Sequence, residues 1–458
     1  MRRDRRDFLT RAVPGALLPL VAPWPGAAGA RSEDAAAPRP LRAAPARVQI
    51  APPDYPATEV LAYDGQLPGP LLRAAQGSAL ALRFENRLDQ PSTIHWHGLR
   101  LPNAMDGVPG MTQPAVAPGG DFDYRFTLRD AGTFWYHPHS HSMEQVGRGL
   151  AGVLVVDEAA PPPLDGDHVL VLRDWRLDRQ AQIVADFDNR HDLSHAGRLG
   201  NYVTVNGAPE ARLAARPGAR LRLRLVNTAT ARVFQLRLSG LRAWIAALDG
   251  MPLAAPEPAA SLLLAPAQRA DLIVDVTAAA GEEALIGSVE RGGTFATVLI
   301  AVAGAALPAR PDPAPLPQND LPAIDPGAAR TVPLVMEGGA MRGLPEGATW
   351  QAEGWTCGRW PISASSGPST GVPASARPWP RRPRAKPCAS RWKTAPPSIM
   401  PCICMATISA PIRATGGWGP GATRCCCRPA RRATSSSSPK PRATGCCIAT
   451  CWAMPRPA

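Results

Sequence analysis

The two parts of this 458-residue chain are defined by what each lacks. No histidine follows His195, and no cysteine precedes Cys357. The missing histidines leave the last part of the chain without an imidazole metal ligand. The ten cysteines do not replace them, because Cys402-Ile403-Cys404, Cys425-Cys426-Cys427 and Cys446-Cys447 lack the Cys-x-x-Cys spacing of zinc sites. In an oxidising compartment such clusters tend toward unplanned disulfides. Long apolar runs are also missing. The longest uncharged one lies near the N-terminus and is broken by proline, too short for the roughly 20 residues of a membrane span, so no transmembrane helix is expected. Acidic charge almost vanishes from Gln351 onward, where 16 Lys and Arg face Glu353 alone; of the chain's 50 basic and 37 acidic groups, the first 350 residues keep 34 and 36, a net charge of −2. The formal +13 therefore belongs to the tail, and the body carries no basic excess to attract nucleic acid or a membrane surface. Two compositions have been joined near residue 350.

The N-terminus reads as an address. Arg5-Arg6-Asp7-Phe8-Leu9-Thr10, an apolar stretch from Val13 to Trp24 and the small residues Ala28-Gly29-Ala30 have the basic, apolar and cleavage regions of a secretory signal. The Arg-Arg-x-Phe-Leu core resembles the twin-arginine type, which carries folded proteins across a bacterial inner membrane. Residues 1–30 are therefore expected to be a signal peptide, with the twin-arginine export machinery as partner and the periplasm as destination.

The length allows about three domains. After a Pro/Ala-rich leader to about Pro53, short alternating runs dominate, separated by Gly, Pro and Asn. Ala79–Glu85 and Arg220–Leu225 place apolar residues at every second position, the period of a strand with one buried face. The expected class is all-β, built of sandwiches. Gly77 and Gly218 each open one of these strands, a weak internal repeat. Pro-rich linkers at 159–163 and 307–326 divide the chain into sandwiches at 45–158 and 165–305 and the start of a third at 328–350, with an anomalous tail at 351–458.

Four of the eight histidines form two His-x-His pairs, His95-Trp96-His97 and His137-Pro138-His139. On a strand, residues i and i+2 point to one side, so each pair can offer two imidazoles to one site. Imidazole suits copper, zinc, iron and nickel alike, and ligand type alone does not choose among them.

The flanking residues narrow the choice. His95-Trp96-His97-Gly98 followed by Met105-Asp106-Gly107, and Thr133 to His139 leading into Gln145 and Gly149-Leu150-Ala151-Gly152, resemble the first two copper motifs of the multicopper oxidases. Tyr63 to Pro70, Val205-Asn206-Gly207 and Asp249-Gly250 are similar to that family too, so the resemblance covers roughly residues 45–345. It implies tandem cupredoxin-like Greek-key β-sandwiches. It also implies a laccase-like activity in which electrons from a phenolic or metal-ion donor enter at a type 1 copper and pass to a trinuclear type 2/type 3 cluster that reduces dioxygen to water. By motif position, His95 would bind the type 2 copper and His97, His137 and His139 the type 3 pair. Asp106 matches an acidic residue that assists proton delivery in the family, and also reads as the Asp of an Asp-Gly turn. His141 has no matching ligand role, and His168, His191 and His195 show no ligand spacing.

The resemblance also implies two further motifs that this chain does not contain, a His-x-x-His-x-His and a His-Cys-His followed by another histidine. A shifted reading frame is the expected cause, the alternative being a divergent tail with its own role, such as a basic disordered arm. Met400 to Ser409, back-translated as ATG CCA TGC ATC TGC ATG GCC ACC ATT TCn and read from one preceding C, becomes His-Ala-Met-His-Leu-His-Gly-His-His-Phe. Gly445 to Met454, treated the same way with a preceding T, gives Trp-Leu-Leu-His-Cys-His-Met-Leu-Gly-His. With wobble positions free to be chosen, both recoveries need the same one-nucleotide offset, so a frameshift is expected near 350–360, with the third sandwich scrambled beyond it. Three functions follow as expectations: an oxidase whose chain is inactive as written, a copper-free periplasmic cupredoxin-fold protein with a structural or division-associated role, or copper binding without turnover.

Overall fold

The computed structural model describes residues 37–290, 292–336, 349–350, 353–354 and 388–394. The first sandwich comprises β1 (Arg39–Val48), β2 (Thr58–Tyr63), β3 (Gly69–Ala75), β4 (Ala79–Asn86), β5 (His95–His97), β6 (Asp121–Thr127), β7 (Gly132–His137) and β8 (Gly152–Asp157), with helix α1 (Ser142–Gly147) before β8. Its sheets run β2-β1-β4-β6 and β3-β8-β7-β5. They enclose Leu41, Leu82, Phe84, Trp96, Tyr124, Phe134, Tyr136 and Leu154. β4 follows its alternation: Leu82 and Phe84 are buried, while the intervening Arg83 bonds Asp123 at 2.7 Å on the paired strand. β1 departs from expectation, because a stretch that reads as a proline-rich leader pairs with both β2 and β4 and buries Leu41 and Ala43.

The second sandwich comprises β9 (Gly166–Trp175), helix α2 (Arg190–Ser194), β10 (Tyr202–Val205), β11 (Ala211–Ala215), β12 (Arg220–Asn227), β13 (Phe234–Ser239), β14 (Leu241–Leu248), β15 (Met251–Pro258), β16 (Ser261–Leu264), β17 (Arg269–Val276), β18 (Glu283–Glu290) and β19 (Gly293–Val302). A six-stranded sheet β10-β9-β12-β17-β14-β15 packs on the five-stranded β11-β19-β18-β13-β16. The repeated glycines have structural counterparts. Gly77 (φ +83°) precedes β4 and Gly218 (φ +78°) precedes β12, and each strand runs parallel to the first strand of its own sandwich.

β12 corrects a sequence expectation. Its alternation suggests one wet face, yet all eight residues are buried. The second face is covered as well, and its three arginines are compensated one by one. Arg220 pairs with Asp275, Arg222 with Asp271 and Glu158, and Arg224 with Asp167 and Asp271. Arg73 of β3 extends the chain of alternating charge by bridging Asp157 and Asp167, so the network crosses from one sandwich to the other. Around it the seam is apolar. Trp135, Val153 and Val155 meet Val171, Val226 and Ala267, and Ile50, Val60 and Ala62 meet Trp175, Leu177 and Tyr202.

The expected linker at 307–326 lies strapped across both sandwiches. Leu316 is buried against Ala246, Ala247 and Ile273. The Gln318 amide donates to the Leu253 carbonyl at 3.0 Å. Asn319 forms a two-way pair with the backbone of Ala131, at 2.8 and 2.9 Å, and Arg100 donates to the Asp320 carbonyl at 2.9 Å. Of the expected third sandwich, β20 (Arg330–Met336) and β21 (Thr349–Trp350) are described, followed by β22 (Glu353–Gly354) and β23 (Cys388–Thr394). β20 pairs with β23 and β21 with β22. The expected signal at 1–30 and most of the tail at 351–458 lie outside the described residues. No described helix is long and apolar enough to cross a membrane.

Candidate metal centre

Antiparallel pairing of β5 with β7 builds the site. The register sets His95 opposite His137 and His97 opposite Trp135, so the period-two alternation turns all four side chains to one face. The alternate residues Trp96, Phe134 and Tyr136 point the other way, into the first core. His139 follows just beyond β7, its amide donating to Thr93 Oγ1 at 3.2 Å. His95, His137 and His139 each present one ring nitrogen, all within 4.8 Å of one another. His97 joins them through its Nδ1, 3.3 Å from His137 Nε2. The topology thus brings together all four histidines of the two sequence motifs.

Backbone carbonyls orient two of the rings. His95 Nδ1 donates to the Asp106 carbonyl at 2.7 Å, and His137 Nδ1 to that of Pro138 at 3.0 Å. A carbonyl only accepts, so Nδ1 holds the proton and Nε2 keeps its lone pair for a metal. His139 Nε2 is buried without a hydrogen-bond partner, a costly condition for a polar atom that a metal ion would relieve. Burial holds His97 and His137 well below the ordinary histidine range, aided for His97 by Arg269 and for His137 by His139 and His95. Burial and His95 lower His139 to about 3. The imidazoles of His97, His137 and His139 are therefore neutral, the form that binds metal.

Asp106 lies behind this face. Its Oδ1 is 3.3 Å from His95 Nδ1, at the ring nitrogen that does not face the other ligands. Gly107 (φ +77°) permits this arrangement, since a Cβ there would meet the Ile94 carbonyl oxygen at 1.8 Å. His141 is exposed at φ +47° before α1, outside the cluster, and His168 sits on β9. Sequence reasoning missed two neighbours. Trp135 stacks on His137 with centroids 4.0 Å apart; its place two residues before His137 on one strand was the available signal. Arg269 approaches from the second sandwich so closely that a Cβ on Gly98 would meet its Nη2 at 2.3 Å. Nothing in the spacing of the motifs announces that contact. A cleft of about 740 Å³, lined by His97, Trp135, His137, Met143, Asp192 and Arg198 among others, opens on the ligand face.

Two sandwiches of this topology, with paired His-x-His strands at their seam, define a cupredoxin-fold protein with a multi-imidazole metal centre. The family models described as multicopper oxidase match residues 46–161 and 166–286. A multicopper oxidase of Mycobacterium tuberculosis, MmcO, is 33% identical over an alignment covering 68% of each chain. Copper resistance protein A of Pseudomonas syringae pv. tomato is 35% identical over 48% of this chain and 43% of its own length, so the chain spans under half of that relative. Among solved structures, a multicopper oxidase from Pseudomonas thermotolerans is similar at 38% identity and a TM-score of 0.60, covering 65% of this chain and 71% of that one. The chain belongs to the multicopper oxidase family, whose cofactor is copper.

Proposed function

We propose that the gene encodes a laccase-like copper oxidase coupling one-electron oxidation of a phenolic or metal-ion donor to reduction of dioxygen to water. The observation that carries the reading is the orphaned His139 Nε2, buried beside His95 and His137; a copper-free scaffold has no use for that arrangement. His95 would hold the type 2 copper, and His97, His137 and His139 the type 3 pair. Copper bound there supplies the electron transfer and oxygen chemistry. The protein's own part is to keep His97, His137 and His139 neutral, to fix His95 and His137 through carbonyl hydrogen bonds, and to shield one side of His137 with the Trp135 ring. Asp106 orients His95 through its backbone carbonyl, and the role we assign to its carboxylate, 3.3 Å from His95 Nδ1, is to hold a proton beside that ring.

For the chain as written we propose copper binding without turnover. The sequence has no histidine after His195, so half the trinuclear ligands and the type 1 imidazoles have no donors. The cause we propose is a one-nucleotide frameshift near 350–360, in a protein exported to the periplasm by a twin-arginine signal at residues 1–30. Copper analysis and an oxidase assay, run on this chain and on a frame-restored version, test the reading. Activity with about four coppers is expected in the restored protein, and fewer coppers without activity in this chain. Absence of copper from both would overturn it in favour of a copper-free structural role, and an intact frame on resequencing would remove the frameshift.

A further inference from the structure

Where β9 meets the first sandwich, the buried Arg173 makes no ion pair among the described residues, Asp174 being its nearest charge. Arg173 is 5% exposed, and among the described residues its Nε has no hydrogen-bond partner. The adjacent Asp174 is held elsewhere, by Arg232 Nε at 3.0 Å and by the Gly200 amide. The contrast with β12 is sharp, since Arg220, Arg222 and Arg224 each face a carboxylate. Desolvation lowers Arg173 to about 9, which leaves it charged at neutral pH.

Its guanidinium carbon lies 4.3 Å from the centroid of the Trp175 ring. Arg173 also lines a small, partly open pocket with Pro68, Trp175, Thr204, Gly207 and Thr228. The Thr204 hydroxyl accepts from Trp175 Nε1 at 2.9 Å, which directs its own proton to another acceptor. No carboxylate is among the lining residues. A buried cation, a hydroxyl donor and apolar walls match a small anion, because a buried charge is costly until it is paired. The cavity bridges the seam: Pro68 belongs to the first sandwich and Arg173 to the second. The approach is close enough that a Cβ on Gly207 would meet the Leu67 carbonyl oxygen at 2.6 Å.

We propose that this cavity is a binding site for a small inorganic monoanion, chloride being the one tested, and that the bound ion stabilises the docking of the two sandwiches. The site is separate from the histidine cluster and does not depend on copper. The test is a thermal melt of the full chain as chloride replaces gluconate at constant ionic strength. A ligand that binds only the folded state raises the melting temperature with its logarithm, by about 3 °C per tenfold above its dissociation constant. That rise is expected in the parent, is lost in Arg173→Met and is weakened in Thr204→Val. A bromide anomalous peak beside the Arg173 guanidinium is expected in crystals. If Arg173→Met does not fold, Thr204→Val and the bromide peak decide. An equal chloride response in parent and variants, no response at all, or a bromide peak without any response would overturn the proposal and leave the cavity to water or an adventitious ion.

Discussion

Asp271→Asn removes one charge from the network that joins the sandwiches and changes almost nothing in shape. Asp271 is 1% exposed, as is Arg222. Its Oδ2 accepts from Arg222 Nη2 at 2.6 Å and Nε at 3.1 Å, and from Arg224 Nη1 at 3.3 Å. After the change Arg222 keeps only Glu158, 2.8 Å away, and Arg224 keeps Asp167. Two guanidinium groups then share less compensation in a site closed to water. Removing one partner of a buried pair costs about 3–5 kcal/mol, a large share of the roughly 5–15 kcal/mol that holds a domain folded. Asp312→Asn is the control. It breaks the pair with Arg242, in which the side chains are 56% and 62% exposed, and should cost under about 1 kcal/mol. Urea unfolding followed by circular dichroism measures both. Because more than one sandwich is present, the quantity read is the shift of the first affected transition rather than a global free energy. With a slope of about 2–3 kcal/mol per molar, Asp271→Asn should lower that midpoint by about 1–2 M and the control by under about 0.5 M. Equal small shifts would refute the reasoning, because they would mean that water reaches the network and the burial of its charges is not felt.

Gly107→Ala should both destabilise the protein, by about 1–3 kcal/mol, and weaken copper binding, since the added Cβ would meet the Ile94 oxygen at 1.8 Å and the His95 amide nitrogen at 2.9 Å; melting and copper titration report the two effects. His139→Ala should lower the copper stoichiometry and His168→Ala should not, as measured by metal analysis after dialysis. A pH effect follows from the buried imidazoles of His97, His137 and His139, whose folded-state pKa values lie below the usual 6.5. The unfolded chain then takes up their protons first. Metal-free protein should lose stability as pH falls below about 6.5, by about 1.4 kcal/mol per unit for each imidazole, the His139 contribution ending near 3. Urea midpoints at several pH values, with a flatter slope in His139→Ala, check it.

The site was legible because its ligands sit on two short strands with period-two spacing. His95 with His97, and His137 with His139, could be grouped from local sequence alone. That they meet depends on the β5–β7 register, which the spacing permits but does not specify. β12 was misread for a physical reason: alternating Arg and Leu looks like a wet face. A strand covered on both sides uses the same alternation when each arginine finds a carboxylate, and those partners, Glu158, Asp167 and Asp271, lie far away in sequence. β1 was hidden because proline and alanine weaken the strand pattern, while its pairing with β2 and β4 overrides local propensity. Arg173 gave no signal, since a cation with no ion pair among the described residues is defined by what is absent around it.

β7 carries two loads on one face. Trp135 packs into the seam with Val171 and Val226, and its ring rests on that of His137, a copper ligand in the reading above. Docking of the second sandwich and occupancy of the copper site are therefore linked equilibria. Whatever factor the docked arrangement adds to copper affinity, bound copper must return to the docking constant. A substitution at Val226, distant from the histidines in sequence, would then alter copper affinity without touching a ligand. Copper loss in such a variant would measure how firmly the two halves of the body are held together.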